Sequence, residues 1–130
     1  MSKKILIVDD EPNIAISVDF LMRREGFEVL VAHDGEEGLA RIRTDRPDLV
    51  VLDVMMPKLD GFEVCRAVRA DPDLAGVRIL MLTAKGRAAE IEKGLKLGAD
   101  AYIPKPFATR ELVAKVKELL GAGSGAAAET

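Results

Sequence analysis

Leu49-Val50-Val51-Leu52-Asp53-Val54-Met55-Met56-Pro57 runs four apolar residues straight into a carboxylate, and the turn signal Asp60-Gly61 follows. An unbroken apolar run with β-branched residues and no polar alternation predicts a strand covered on both faces, as in a parallel sheet. Asp53 then stands at the strand's carboxyl end, the edge where open α/β sheets place ligands and chemistry. A carboxylate there can equally mark where a strand meets water, so this stretch alone leaves both readings open.

Working outward, Ile5-Leu6-Ile7-Val8 is a second unbroken run, and it too ends on acid, Asp9-Asp10-Glu11. Pro12 suits the first position of a helix, where its missing N–H is not needed. Ile14, Val18, Leu21 and Met22 carry helical spacing to Glu25, and Gly26 stops it. Phe27 to Ala32 reads as a strand. Asp34 is the candidate cap of a helix to about Arg43, with Leu39 and Ile42 facing inward. Beyond Gly61, Phe62, Val64, Cys65 and Val68 predict a short helix closed off by Pro72. Val77 to Leu82 is a fourth strand ending at Thr83-Ala84. The next helix, 87–97, gathers Ala88, Ile91 and Leu95 on one side and stops at Gly98. Ala101-Tyr102-Ile103 forms a short fifth strand that breaks at Pro104-Lys105-Pro106. The last helix reaches Leu120 on a stripe of Leu112, Val113, Val116, Leu119 and Leu120. Strand then helix, five times over, predicts a doubly wound (βα)5 domain with a five-stranded parallel sheet between two helical layers. That domain covers 1–121; the small-residue stretch 122–130 is expected to be a flexible tail.

A chain of 130 residues is long enough for one domain with a real core. Its 48% hydrophobic and 32% charged residues fit a folded protein rather than a disordered one. A net charge of −3 argues against broad electrostatic binding to nucleic acid or anionic membrane. The single cysteine, Cys65, permits no internal disulfide and no cysteine-based metal site. Only four apolar residues follow Met1-Ser2-Lys3-Lys4, too few for a secretory signal, and no run approaches the ~20 residues of a membrane span. A cytoplasmic protein is expected, with no membrane or direct nucleic-acid partner.

Asp9-Asp10, Asp53 and Thr83 close three of the five strands, and Lys105 follows the fifth. In a parallel sheet all of them stand on one edge. Carboxylates converging in one pocket repel one another and need a cation; an oxygen-only set points to Mg²⁺ or Mn²⁺. A lysine and a hydroxyl beside the metal complete a site for a phosphoryl group, and an aspartate can accept one as an acyl phosphate. Plainer readings exist singly: Asp9-Asp10 as a helix cap, Lys105 as a turn residue, Thr83 as a strand end. Together with Asp53 as a strand end meeting water, they require four coincidences at one edge. For other residues the plain reading wins. Asp34 is a cap, His33 an exposed loop residue and Cys65 a core residue, while Met22, Met55, Met56 and Met81 serve packing.

These motifs together, Asp9-Asp10, Leu52-Asp53-Val54-Met55-Met56-Pro57 with Asp60-Gly61, Thr83-Ala84 and Lys105-Pro106, resemble the receiver domain of response regulators in bacterial two-component signalling. The resemblance spans residues 3–120 in the family's order and implies its flavodoxin-like three-layer sandwich. It implies that Asp53 is the phosphoacceptor, charged by a histidine kinase or a histidine phosphotransfer protein. Asp10, Asp53 and the backbone carbonyl of Met55 would hold Mg²⁺, with Asp9 acting through water. Lys105 would pair with the phosphoryl oxygens, Thr83 would hydrogen-bond one of them, and the Lys105–Pro106 peptide would be cis. Thr83 and Tyr102 would form the switch that reshapes the face of the fourth helix, fifth strand and last helix, where a downstream protein or a second copy docks. Such a domain assists its own phosphorylation and dephosphorylation without being a turnover enzyme.

Departures from the family bear on partners. Ile91 and Ala101 stand where regulators with a winged-helix DNA-binding domain tend to carry a basic and an acidic residue. Glu111 and Lys115 thereby lose those partners, and the face becomes more apolar. Ala108 replaces the usual cap before the last helix and leaves Thr109 as the nearest candidate. Met55 and Lys85 occupy positions that tune phosphate lifetime in the family. The expectation is a stand-alone receiver; the alternative is the receiver portion of a longer DNA-binding regulator. An aspartyl-nucleophile phosphatase would want a second acid where Met55 stands, and a lid. A nucleotide or flavin binder would want a glycine-rich loop where Asp9-Asp10-Glu11-Pro12 repels phosphate.

Overall fold

The computed structural model describes residues 3–84 and 87–121. In chain order it contains β1 (Lys4–Val8), α1 (Pro12–Arg24), β2 (Glu28–Ala32), α2 (Gly35–Asp45), β3 (Leu49–Asp53) and α3 (Gly61–Arg69). A 3₁₀ turn at Pro72–Leu74 precedes β4 (Arg78–Ala84), α4 (Ala88–Leu97), β5 (Ala101–Lys105) and α5 (Thr109–Leu119). The five strands are all parallel, in the order β2-β1-β3-β4-β5.

The missing alternation in β1 and β3 has a direct cause. Successive side chains of a strand point to opposite faces, and here both faces are covered. Leu6, Val8, Val50 and Leu52 pack with Ile42 of α2, Val64, Cys65 and Val68 of α3, and Leu97 of α4. Ile5, Ile7, Leu49 and Val51 pack with Ala15, Val18 and Met22 of α1 and with Leu112 and Val116 of α5. Strand order reverses between β1 and β3, whose register sets Val8 opposite Leu52. The residues that follow, Asp9-Asp10 and Asp53, therefore meet at the switch point of the sheet, where such folds open a crevice.

Helix ends follow local chemistry. Asp34 accepts from the Glu37 N–H at 2.9 Å. Asp60 and Glu63 form a reciprocal capping box on α3. Gly98 ends α4 in the left-handed region at φ 111°. Ala108 holds the cap position of α5 without a side-chain bond, and Thr109 is the first helical residue, so it does not take over that role.

Two elements depart from the sequence expectation. The fifth strand does not break at Pro104 but runs to Lys105, because β5 is an edge strand, where proline is tolerated. In α4, the side built from Ala88, Ile91 and Leu95 is not the buried one. Gly94 is its buried residue, seated against Met81, whereas Leu95 is 45% exposed. The stretch 122–130, expected as a flexible tail, and Lys85 lie outside the described residues.

Leu52 is fully buried at the centre of the sheet. Leu52→Ala is expected to cost about 2–5 kcal/mol in urea unfolding by removing apolar contact and leaving a cavity.

Candidate functional site

Asp9 is fully buried, Asp53 is 5% exposed, and Asp10 faces solvent. Each offers a carboxylate oxygen, and these oxygens lie within 4.8 Å of one another. From the end of β5, Lys105 reaches across with Nζ 3.3 Å from Asp53 Oδ1 and 3.2 Å from Asp9 Oδ2. The Lys105–Pro106 peptide is cis, as the motif implies. Thr83, at the end of β4, is buried, and its hydroxyl has no hydrogen-bond partner among the described residues. Asp10, Asp53, Met55, Thr83 and Lys105 line one cleft of about 360 Å³.

The electrostatics follow from burial. Desolvation, then the neighbouring Asp9 charge, pushes the Asp53 carboxyl up to about 7 despite the pull of Lys105. Burial likewise raises Asp9, opposed by the Glu11 backbone N–H and by Lys105. For Lys105 burial works against the charged form, but Glu11, Asp53 and Asp9 together outweigh it and hold the ammonium protonated. Two buried carboxylates thus face one ammonium, leaving a negative excess that a hard divalent cation would neutralise. The donors are all oxygen, which fits Mg²⁺.

Most of the residues singled out from sequence converge here: Asp9, Asp10, Asp53, Met55, Thr83 and Lys105. Tyr102 does not; it is 39% exposed and lines a separate groove with Leu95, Ile103 and Lys115. Met55 was expected to pack, yet its side chain is 65% exposed. It leaves β3 into a loop, where its backbone N–H donates to Asp53. Sequence reasoning missed Glu11, whose Oε1 makes the shortest contact to Lys105 at 2.8 Å. Its one signal was membership of the acidic run after β1. His33 is exposed and lies 3.4 Å from Glu37, and Cys65 is buried, both as expected. Asp34 does more than cap, since it also pairs with Lys58 at 3.6 Å.

The chain as a whole is similar to known proteins. Residues 5–117 match the family described as the response regulator receiver domain, and the chain belongs to that family. It is 50% identical over 120 residues to the alkaline phosphatase synthesis transcriptional regulatory protein PhoP of Bacillus subtilis, covering 92% of this chain and 49% of that protein. The chain spans about half the length of the curated relatives it matches. A response regulator structure from Chloroflexus aurantiacus superposes with a TM-score of 0.89 at 39% identity, covering 93% of this chain and 99% of that one. The receiver domain of a Pseudomonas aeruginosa sensor histidine kinase, solved with magnesium coordinated in its active site cleft, superposes at 0.85 with 29% identity over 93% and 99% of the two chains. Among the described residues no helix is long and apolar enough to cross a membrane.

In the unfolded chain Asp53 ionises near its ordinary value of 3.8, whereas in the fold it holds its proton to about 7. Between those values the folded state binds more protons, so stability falls as pH rises through the window and the loss is complete above it. The effect is bounded by about 4 kcal/mol. In EDTA, Asp53→Asn is expected to melt several degrees above the wild type at pH 8, with the gap closing toward pH 4 in paired thermal melts.

Proposed function

We propose that the chain is a phosphorylation-driven signalling domain in which Asp53 takes a phosphoryl group from a phosphohistidine on a histidine kinase or phosphotransfer protein. The observation that carries this reading is the Asp53 carboxylate, buried at the sheet's switch point with Lys105 Nζ 3.3 Å away and, in the same cleft, a Thr83 hydroxyl with no hydrogen-bond partner among the described residues. An Asp53 oxygen attacks phosphorus and forms the acyl phosphate. The phosphorus–nitrogen bond breaks, and the imidazole leaves with the electron pair. Asp10, Asp53 and the Met55 carbonyl would hold Mg²⁺, with Asp9 acting through water. When bound, the metal neutralises charge on the transferring group. Lys105 pairs with the phosphoryl oxygens and positions them, and Thr83 donates its hydroxyl to one. One phosphoryl group is accepted and later lost to water, so the domain is a switch, not a turnover enzyme.

Readout falls to Thr83, Tyr102 and the α4-β5-α5 face. Leu95 and Tyr102 are exposed there beside Glu111 and Lys115, an apolar centre with a charged rim suited to a second copy or a downstream protein. We place the domain in the cytoplasm and give it no direct nucleic-acid contact. One reading is a stand-alone receiver. The greater length of the curated relatives favours the other reading, a receiver joined to a DNA-binding output domain. The site chemistry is the same in both.

Incubation with acetyl phosphate and Mg²⁺ is expected to add one phosphoryl group by intact mass. Asp53→Asn and an EDTA control should both abolish the gain. Absence of labelling where a known receiver is labelled in parallel would overturn the phosphoacceptor assignment.

A further inference from the structure

The loop between β3 and α3, Val54 to Asp60, carries the Met55 backbone, but the exposed Met55 side chain does not anchor it. Its supports lie elsewhere. At its far end Gly61 donates its N–H to the Val54 carbonyl at 2.9 Å. A Cβ on Gly61 would lie 2.8 Å from the Val54 Cα. At its apex the loop rests on the amino end of α2. A Cβ on Gly35 would overlap the Leu59 carbonyl oxygen and approach its carbon to 2.6 Å, so helix and loop meet backbone to backbone. Asp34 caps the helix and reaches Lys58 at 3.6 Å. Lys58 itself holds a left-handed φ of 69°, a conformation a lysine adopts only where its surroundings impose it.

The same helix face reaches the other half of the site. One turn on, Gly38 sits over Val8, where an added Cβ would come within 2.7 Å of Val8 Cγ1. Val8 is the residue before Asp9-Asp10. Gly35 and Gly38 stand three apart on one face, so a single rigid turn of α2 touches both the β1 end and the β3–α3 loop.

We propose that the first turn of α2 is a spacer for the metal site. Gly35 and Gly38 are positioning residues that set the distance between the Asp9-Asp10 carboxylates and the Met55 carbonyl, and thereby the Mg²⁺ affinity. This rests on the reading that those groups hold Mg²⁺. Neither glycine touches the metal or the phosphoryl group. Each lets the helix approach closer than any side chain would permit, and a misplaced ligand shell weakens metal binding.

The test is Mg²⁺ titration followed by backbone amide shifts of ¹⁵N-labelled protein, well below the melting temperature. Gly35→Ala is expected to weaken Mg²⁺ binding about 10-fold or more, and Gly38→Ala less, because its added Cβ meets the Val8 side chain rather than backbone. Gly76→Ala is the control. Nothing lies within 4 Å of its added Cβ, and its affinity should match the wild type. A Gly35→Ala protein with a lower melting temperature but wild-type Mg²⁺ affinity would make the contact purely structural and overturn the proposal. Should that variant not fold, an unchanged affinity in Gly38→Ala overturns it instead. A wild type that binds no Mg²⁺ removes both this inference and the proposed function; one that binds normally beside equally tight glycine variants removes this inference alone.

Discussion

Two buried carboxylates, Asp9 and Asp53, share one ammonium at the reversal point of a parallel sheet. Ionised groups at such burial repel one another and resist desolvation. The fold tolerates them because Lys105 reaches both, with Glu11 tethering its far side. A site strained in this way is primed for extra positive charge. A divalent cation there would relieve the repulsion between the two carboxylates.

Sheet register delivers the two acids to one place. β1 and β3 are neighbours with Val8 opposite Leu52, and each strand turns acidic one residue later. A slip of one residue in either strand would also turn every apolar side chain to the opposite helical layer. The packing of Leu6, Val8, Val50 and Leu52 on one side, and of Ile5, Ile7, Leu49 and Val51 on the other, therefore specifies the active edge as well as the core. Stability and chemistry draw on the same pattern.

That pattern explains how much could be read from sequence. Continuous apolar runs ending on Asp9 and Asp53 are one-dimensional signals, and so is Asp34 as a cap. Helix α4 was less legible because its spacing puts apolar residues on a side the tertiary structure leaves outward, while the residue facing the sheet is Gly94, which has no side chain to announce it. Pro104 inside β5 defeats a local rule that only sheet position can waive. The Glu11–Lys105 contact joins residues 94 apart in sequence, and no periodicity encodes it. Gly35 likewise reads as an ordinary helix start until the Leu59 backbone appears against it.

The inverted polarity of α4 bears on how a change at the cleft could travel. Its carboxyl end is held firmly: Arg69 donates to the Gly98 carbonyl at 2.8 Å and pairs with Asp100 at 2.9 Å, and Asp100 also accepts from the Ile79 N–H. Its amino end begins at Arg87 with no side-chain cap, a few residues after Thr83. Between the two, Gly94 seats against Met81, Lys93 lies 4.4 Å from the Phe62 ring centre and Leu97 packs against the core. The helix's outward Leu95 lies beside Tyr102 in one groove, so a shift of α4 against β5 would reshape that surface.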